Sequence, residues 1–135
     1  IWMDADNPPD APEGHLRDLN AEEKGLVVQC GDALMLFRLR GPLSFGAAKG
    51  ISARMGLIQN YKVLILDITE VPRIGITASL AIERMVQEAQ TSGRTILIAG
   101  ANSKLQQRLR QFGVHGELVA SRREALQIAA QDISA

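Results

Sequence analysis

The stretch from Val63 to Ser79, VLILDITEVPRIGITAS, restricts the fold of this chain more than any other. Its first four residues are continuously apolar, the pattern of a strand buried on both faces of a sheet. Asp67 ends the run, and 68–73 reads as a short polar turn. Ile74-Gly75-Ile76-Thr77 then leads into a helix-like segment. A buried strand feeding a loop and a helix N-terminus is where α/β domains place binding sites.

The remaining pattern surrounds this unit with similar ones. Leu26–Cys30 and Leu34–Leu39, separated by Gly31-Asp32, read as two strands of a hairpin. Gly41-Pro42 stops the second. Phe45–Gly56 reads as a helix capped by Ser44, with Ala48, Ile51 and Met55 on one face. The helix after the central strand should run from about Ile76 to Thr91. Ile82, Met85, Val86 and Ala89 form its core face, Glu83, Arg84, Gln87 and Glu88 point outward, and Gly93 sits where a left-handed cap belongs. Thr95–Ala99 is a second buried strand. Ser103 caps a helix carrying Leu105, Leu109 and Phe112. Leu118-Val119 is a last strand. Ser121 and Glu124 form a capping box for a final helix whose core face is Leu126, Ile128, Ala129 and Ile133. This order predicts an α/β domain: a mixed sheet of about five strands with about four crossover or flanking helices.

Length and composition fit one domain. The chain has 135 residues, 46% hydrophobic and 22% charged, ordinary values for a globular chain. No run approaches the ~18–20 apolar residues of a membrane span. Cys30 is the single cysteine. It excludes an internal disulfide and suits a reducing compartment, and its apolar setting argues against catalysis. Residues 1–25 carry seven acids and two bases and include Asn7-Pro8-Pro9-Asp10-Ala11-Pro12. They read as an acidic, proline-containing linker, and the opening Ile1-Trp2-Met3 reads as part of a longer protein. Residues 26–135 form the domain.

Two segments resemble the STAS domain, named for sulfate transporters and anti-sigma factor antagonists. The family pattern is a hydrophobic strand, Asp-Leu-Ser, a few residues, then Ile-Asp-Ser-Ser/Thr-Gly. Asp67-Ile68-Thr69 matches its first part. Gly75 and Ile76 stand where the family has Asp and the phosphorylatable Ser. The second segment, Arg38-Leu39-Arg40-Gly41-Pro42-Leu43-Ser44-Phe45-Gly46-Ala47-Ala48, is similar to the SulP transporter wording Arg-Leu-x-Gly-Pro-Leu-x-Phe-x-x-Ala. Ile74–Glu83 looks like the cyanobacterial, bicarbonate-transporting SulP group. The resemblance implies a cytoplasmic C-terminal STAS domain, on the cytoplasmic side of the plasma membrane. It would act in regulation, dimerisation and assembly of an anion transporter, with bicarbonate as the cargo, and have no catalysis of its own. Its implied partners are the membrane domain of the same transporter, which the linker would reach, and a second copy. Some STAS domains are proposed to bind nucleotides, so a nucleotide is a further candidate ligand. The alternative is a free-standing anti-sigma antagonist; the Gly75-Ile76 departure, the Pro-Leu-x-Phe wording and the acidic opening favour the transporter.

Residue chemistry agrees with a non-catalytic domain. His15 and His115 are isolated, and no set of ligands with metal spacing is present. No phosphate-binding glycine loop occurs. No metal or cofactor is expected. Glu22-Glu23 reads as a solvated charge pair. The expected partner-binding or regulatory loop comprises Asp67, Thr69, Arg73, Ile74, Gly75, Ile76 and Thr77. Within it, Asp67 caps the turn through backbone N–H groups. Gly75 serves close backbone approach or a positive φ. Ile74 and Ile76 either pack beneath the loop or form an apolar contact. Thr77, one place past the family's phosphoacceptor, is the candidate phosphorylation site, although Gly75-Ile76 argues against a phospho-switch. Residues 94–123 hold Arg94, Lys104, Arg108, Arg110, Arg122 and Arg123 against Glu117 alone. Arg108, Arg110, Arg122 and Arg123 are expected on two helices flanking one side of the sheet, facing an anionic lipid surface. Without interleaved aromatics, nucleic acid is not expected.

Overall fold

The computed structural model of the chain describes residues 2–4, 20–40, 61–114 and 116–134. Its elements are β1 (Trp2–Asp4), α1 (Ala21–Cys30), β2 (Leu34–Arg40), β3 (Val63–Glu70), α2 (Ile76–Thr91), β4 (Thr95–Ala99), α3 (Ser103–Gln111), β5 (Glu117–Val119) and α4 (Arg122–Ser134). The five strands lie side by side in chain order. No helix among the described residues is long and apolar enough to cross a membrane. The expected helix at Phe45–Gly56, its cap and the Gly41-Pro42 turn lie outside the described residues, as do His15 and His115.

Side-chain alternation assigns the two faces of the sheet. Leu64 and Leu66 of β3, with Met35, Phe37, Ile96 and Ile98 of its neighbours, pack against α2 and α3. Val63 and Ile65, with Leu34, Leu36, Leu97 and Ala99, pack against α4 and α1. The first six residues of β3 are all buried, as continuous hydrophobicity requires of a central parallel strand. In α2, Ile82, Met85, Val86 and Ala89 are buried. Each of the larger three contributes about 1.5–3 kcal/mol on burial.

The sequence expectation fails in several places. All four strand pairings are parallel, so the sheet among the described residues is not mixed. Leu26–Cys30 is not a strand and forms no hairpin; it is the second half of α1. Gly31–Ala33 is a 3₁₀ turn leading into β2. The helix wins because Asn20 caps it: Asn20 Oδ1 accepts from the Glu23 N–H at 2.8 Å, and Glu23 Oε1 accepts from the Asn20 N–H at 3.3 Å. This reciprocal box satisfies two otherwise orphaned donors. The segment read as a linker therefore contains the start of α1, and it also supplies β1, which pairs with β2. The cap of α3 is Asn102, one residue before the expected Ser103; Asn102 Oδ1 accepts from the Leu105 N–H at 2.8 Å. In α4, Ser121 does cap, accepting from the Glu124 N–H at 3.2 Å. The buried face of α4 is Ala125, Leu126, Ala129 and Ala130, with Ile128 and Ile133 only partly covered.

Candidate functional site

Alternation along β3 separates the chemistry at its C-terminal end. Asp67 shares the parity of Val63 and Ile65, so it turns toward α1 and α4. Ile68 shares the parity of Leu66 and joins the α2/α3 core. The two sides of this sheet edge are built differently.

On the α1/α4 side Asp67 is 3% exposed. Its Oδ1 accepts from the Thr69 N–H at 3.2 Å and the Thr69 hydroxyl at 2.6 Å. Both residues lie inside β3, which runs through Glu70 where the sequence predicts a polar turn from 68, so Asp67 braces the strand where its register against β2 shifts rather than capping a turn after it. Its Oδ2 accepts from Arg122 Nη1 at 3.1 Å. The same guanidinium grips Glu23 with two bonds, Nε to Oε2 at 2.7 Å and Nη2 to Oε1 at 3.2 Å. Glu23 is 5% exposed, so its reading as a solvated charge is wrong. Burial pushes the Glu23 carboxyl up, but Arg122 and the Asn20 backbone N–H outweigh it and hold the group below its ordinary value. Burial likewise lowers Arg122, yet Glu23 and Asp67 raise it on balance. A bidentate Arg–carboxylate pair with a second carboxylate on the remaining nitrogen is a strong arrangement in a dry setting. Beside it Arg123 pairs with Glu22 at 3.1 Å at the surface, and Arg38, in register with Asp67, pairs with Glu70 at 3.0 Å.

Gly100 secures this edge from the next strand. Its φ is +80°, and a Cβ there would sit 2.9 Å from the Thr69 Cα and overlap the Thr69 hydroxyl. Among the described glycines, Gly100 is thus the one that combines close approach with positive φ, and Gly75 does neither. Gly75 has φ −76° as the N-cap of α2, and a Cβ on it would meet nothing within 4 Å.

On the α2/α3 side the loop faces outward. Ile74 is buried, whereas Ile76 is 54% exposed and Leu80, one turn later, 49%. The two isoleucines therefore divide the roles expected of them: Ile74 packs beneath the loop, and Ile76 is presented. Thr77 is exposed on the first turn of α2. Ser79 is fully buried and donates to the Gly75 carbonyl at 2.9 Å. A groove of about 470 Å³ opens between the loop and α3, lined by Arg73, Ile74, Ile76, Lys104, Leu105 and Arg108 among others. Arg73, Lys104 and Arg108 are exposed and form no ion pair among the described residues. The expected basic face is thus redrawn. Arg108 and Arg110 lie on α3 and Arg122 and Arg123 on α4, which cover opposite faces of the sheet. Arg122 and Arg123 are moreover neutralised by acids.

Cys30 closes α1 as a buried thiol, pushed up by burial. No group of three His, Cys, Asp or Glu residues fit to hold a metal occurs among the described residues.

The residues at this sheet edge that sequence reasoning missed are Glu23 and Gly100, along with the pairing role of Arg122. The Asn20-x-x-Glu23 capping spacing was the available signal for α1. With the helix in place, the 23, 26, 27, 30 spacing puts Glu23 on the inward face.

Comparison with known proteins follows the same outline. A family model described as the STAS domain matches residues 21–126. The bicarbonate transporter BicA of Synechocystis sp. is 38% identical over 96 residues, covering 71% of this chain and 17% of the relative. BicA of Picosynechococcus sp. is 34% identical over 116 residues, covering 82% of this chain and 20% of the relative. The chain thus spans at most about a fifth of the length of the curated relatives it matches. The solved STAS domain of a SulP transporter from Vibrio cholerae aligns with a TM-score of 0.72 at 32% identity, covering 85% of this chain and 98% of that one. A sulfate transporter family protein from Wolinella succinogenes shares the fold, with a TM-score of 0.69 at 23% identity over 76% of this chain and 89% of that one.

Proposed function

Because the chain belongs to the STAS domain family, we propose that it is the cytoplasmic, C-terminal STAS portion of a SulP-type bicarbonate transporter. Its work is regulation, dimerisation and assembly, without catalysis of its own. The observation that carries this reading is the identity to two bicarbonate transporters, in which the matched segment makes up 17% and 20% of the length. The proposed partners are the membrane portion of the same polypeptide, joined through the acidic residues before α1, and a second copy of the transporter. The exposed part of the loop, Arg73, Gly75, Ile76 and Thr77, is the proposed regulatory contact. Asp67, Thr69 and Ile74 support it from beneath. Thr77 and Ser79 are proposed to carry no phosphate in the normal cycle. Ser79 is buried and bonded, and Ile76 occupies the family's acceptor position.

The test is uptake of labelled bicarbonate by the intact gene product in a host lacking its own uptake system, with and without residues 21–135. Bicarbonate uptake that loses its normal rate or its dimeric assembly on deletion is the expected result. Transport of sulfate instead, or uptake and assembly indifferent to the deletion, contradicts the reading. Stoichiometric phosphate on Thr77 in the intact protein contradicts the phosphorylation part alone.

A further inference from the structure

The groove on the α2/α3 side combines two features that a solvated surface does not need. Arg73, Lys104 and Arg108 converge on one concavity, and no acid among the described residues lines it. Beside them Ile76 and Leu80 present about half of their surface to solvent at i and i+4, on one face of α2. The cations have no ion pair among the described residues, in contrast to Arg38, Arg122 and Arg123, which are all paired. The next turn of α2 adds only Glu83 and Arg84, which cancel. Cations flanking protruding aliphatic side chains match a membrane interface, where bases meet anionic headgroups and short apolar groups enter the acyl boundary.

We propose that Arg73, Lys104 and Arg108, with Ile76 and Leu80, form a docking edge for an anionic lipid surface. This rests on the reading of the chain as part of a membrane transporter, which holds the domain near a leaflet and raises its effective concentration there. Charge complementarity calls for an anionic occupant, and the exposed Ile76 and Leu80 beside the cations favour a lipid surface over a free anion. The affinity comes from three bases, each worth about fivefold near an anionic surface, and from two aliphatic side chains.

The experiment is sedimentation of the 135-residue chain with vesicles of phosphatidylcholine alone or mixed equally with phosphatidylglycerol. Binding to the mixed vesicles only is expected, strong at about 0.05 M salt and largely lost at about 0.5 M. The variant Arg73→Gln/Lys104→Gln/Arg108→Gln should bind roughly a hundredfold more weakly. Ile76→Ser/Leu80→Ser should lose roughly tenfold. Lys24→Gln/Arg123→Gln, altered on the other face, should stay within about twofold of the parent, given its distance from the docking edge. All seven positions are exposed, so circular dichroism spectra should be unchanged.

Four results overturn the proposal: equal binding to both vesicle types, no binding to either, equal losses in the two charge variants, or retention of full affinity by the triple variant. Two further arms identify a different occupant, and either overturns lipid docking. One is inorganic phosphate or a nucleoside triphosphate binding through the three cations while vesicles do not bind. The other is self-association abolished by Ile76→Ser/Leu80→Ser while vesicles do not bind. Bicarbonate uptake is read separately in the intact transporter. Absent vesicle binding with uptake still dependent on residues 21–135 removes the docking edge and leaves the regulatory reading standing.

Discussion

Arginine does opposite things on the two sides of this sheet edge. On the α1/α4 side, Arg122 is enclosed by Glu23 and Asp67 and ties α1 to the end of the central strand. On the α2/α3 side, Arg73 and Arg108 stand in solvent around a groove. The difference shows that a basic stretch of sequence is not a basic surface. The acids that neutralise Arg122 lie 99 and 55 residues away in the chain. Only the fold decides which cations remain outward-facing.

The contrast should break most severely at Gly100. A Gly100→Val substitution forces a branched side chain into positive φ and against the Thr69 backbone. It should cost about 4 kcal/mol or more by the combined penalties of backbone strain and overpacking. Urea unfolding of the variant measures it, and Gly75→Ala serves as the mild comparison. Gly75 has an ordinary φ and open space, so that change should fall within about 0.5 kcal/mol.

Next in size is Glu23→Gln. Removing one member of a buried pair leaves Arg122 partly uncompensated and should cost about 3 kcal/mol. Hydrogen exchange should place the loss first in α1. The same pair sharpens the contrast through pH. The Glu23 carboxyl is held below its ordinary 4.5 in the folded state. Its contribution is therefore fully present above pH 4.5 and is lost as pH falls below that value, because the unfolded chain takes up the proton first. Stability of the parent should fall in this acid range, and Glu23→Gln should flatten that part of the profile. The smallest effect belongs to the outward side. Ile76→Ser/Leu80→Ser should change unfolding free energy by less than about 1 kcal/mol, since both side chains are already half in water.

Much of the central unit was legible in the sequence. The apolar run before Asp67, the extent of α2 and the buried strand at Thr95–Ala99 all follow from periodicity and turn residues, which are local signals. The Asp67 bond to the Thr69 N–H was legible for the same reason, because Thr69 is two residues away, but the continuation of the strand through Glu70 was not. The α1 helix was not. Its short run of Leu26, Val27 and Val28 is β-branched enough to read as a strand, and the deciding capping box lies upstream. The parallel pairing of β2 was lost with it, because a hairpin reading imposes antiparallel strands. The Glu23–Arg122–Asp67 cluster was illegible for a different reason. Three charged residues far apart in the chain carry no mark of their partners. The split between Ile74 and Ile76 was visible only as two open roles, and packing assigned one to each.

The most direct test of this division is a pair of urea unfolding curves, for Arg122→Gln and for Arg108→Gln. Each removes one positive charge from a helix at the same sheet edge. Arg122→Gln strands two buried carboxylates, at 5% and 3% exposure, and should lower stability by about 3–5 kcal/mol. Arg108→Gln removes a solvated cation and should change it by less than about 0.5 kcal/mol. Equal effects of the two substitutions, or a near-neutral Arg122→Gln, would contradict the claim that one side of the edge is an internal ionic tie and the other an outward-facing surface.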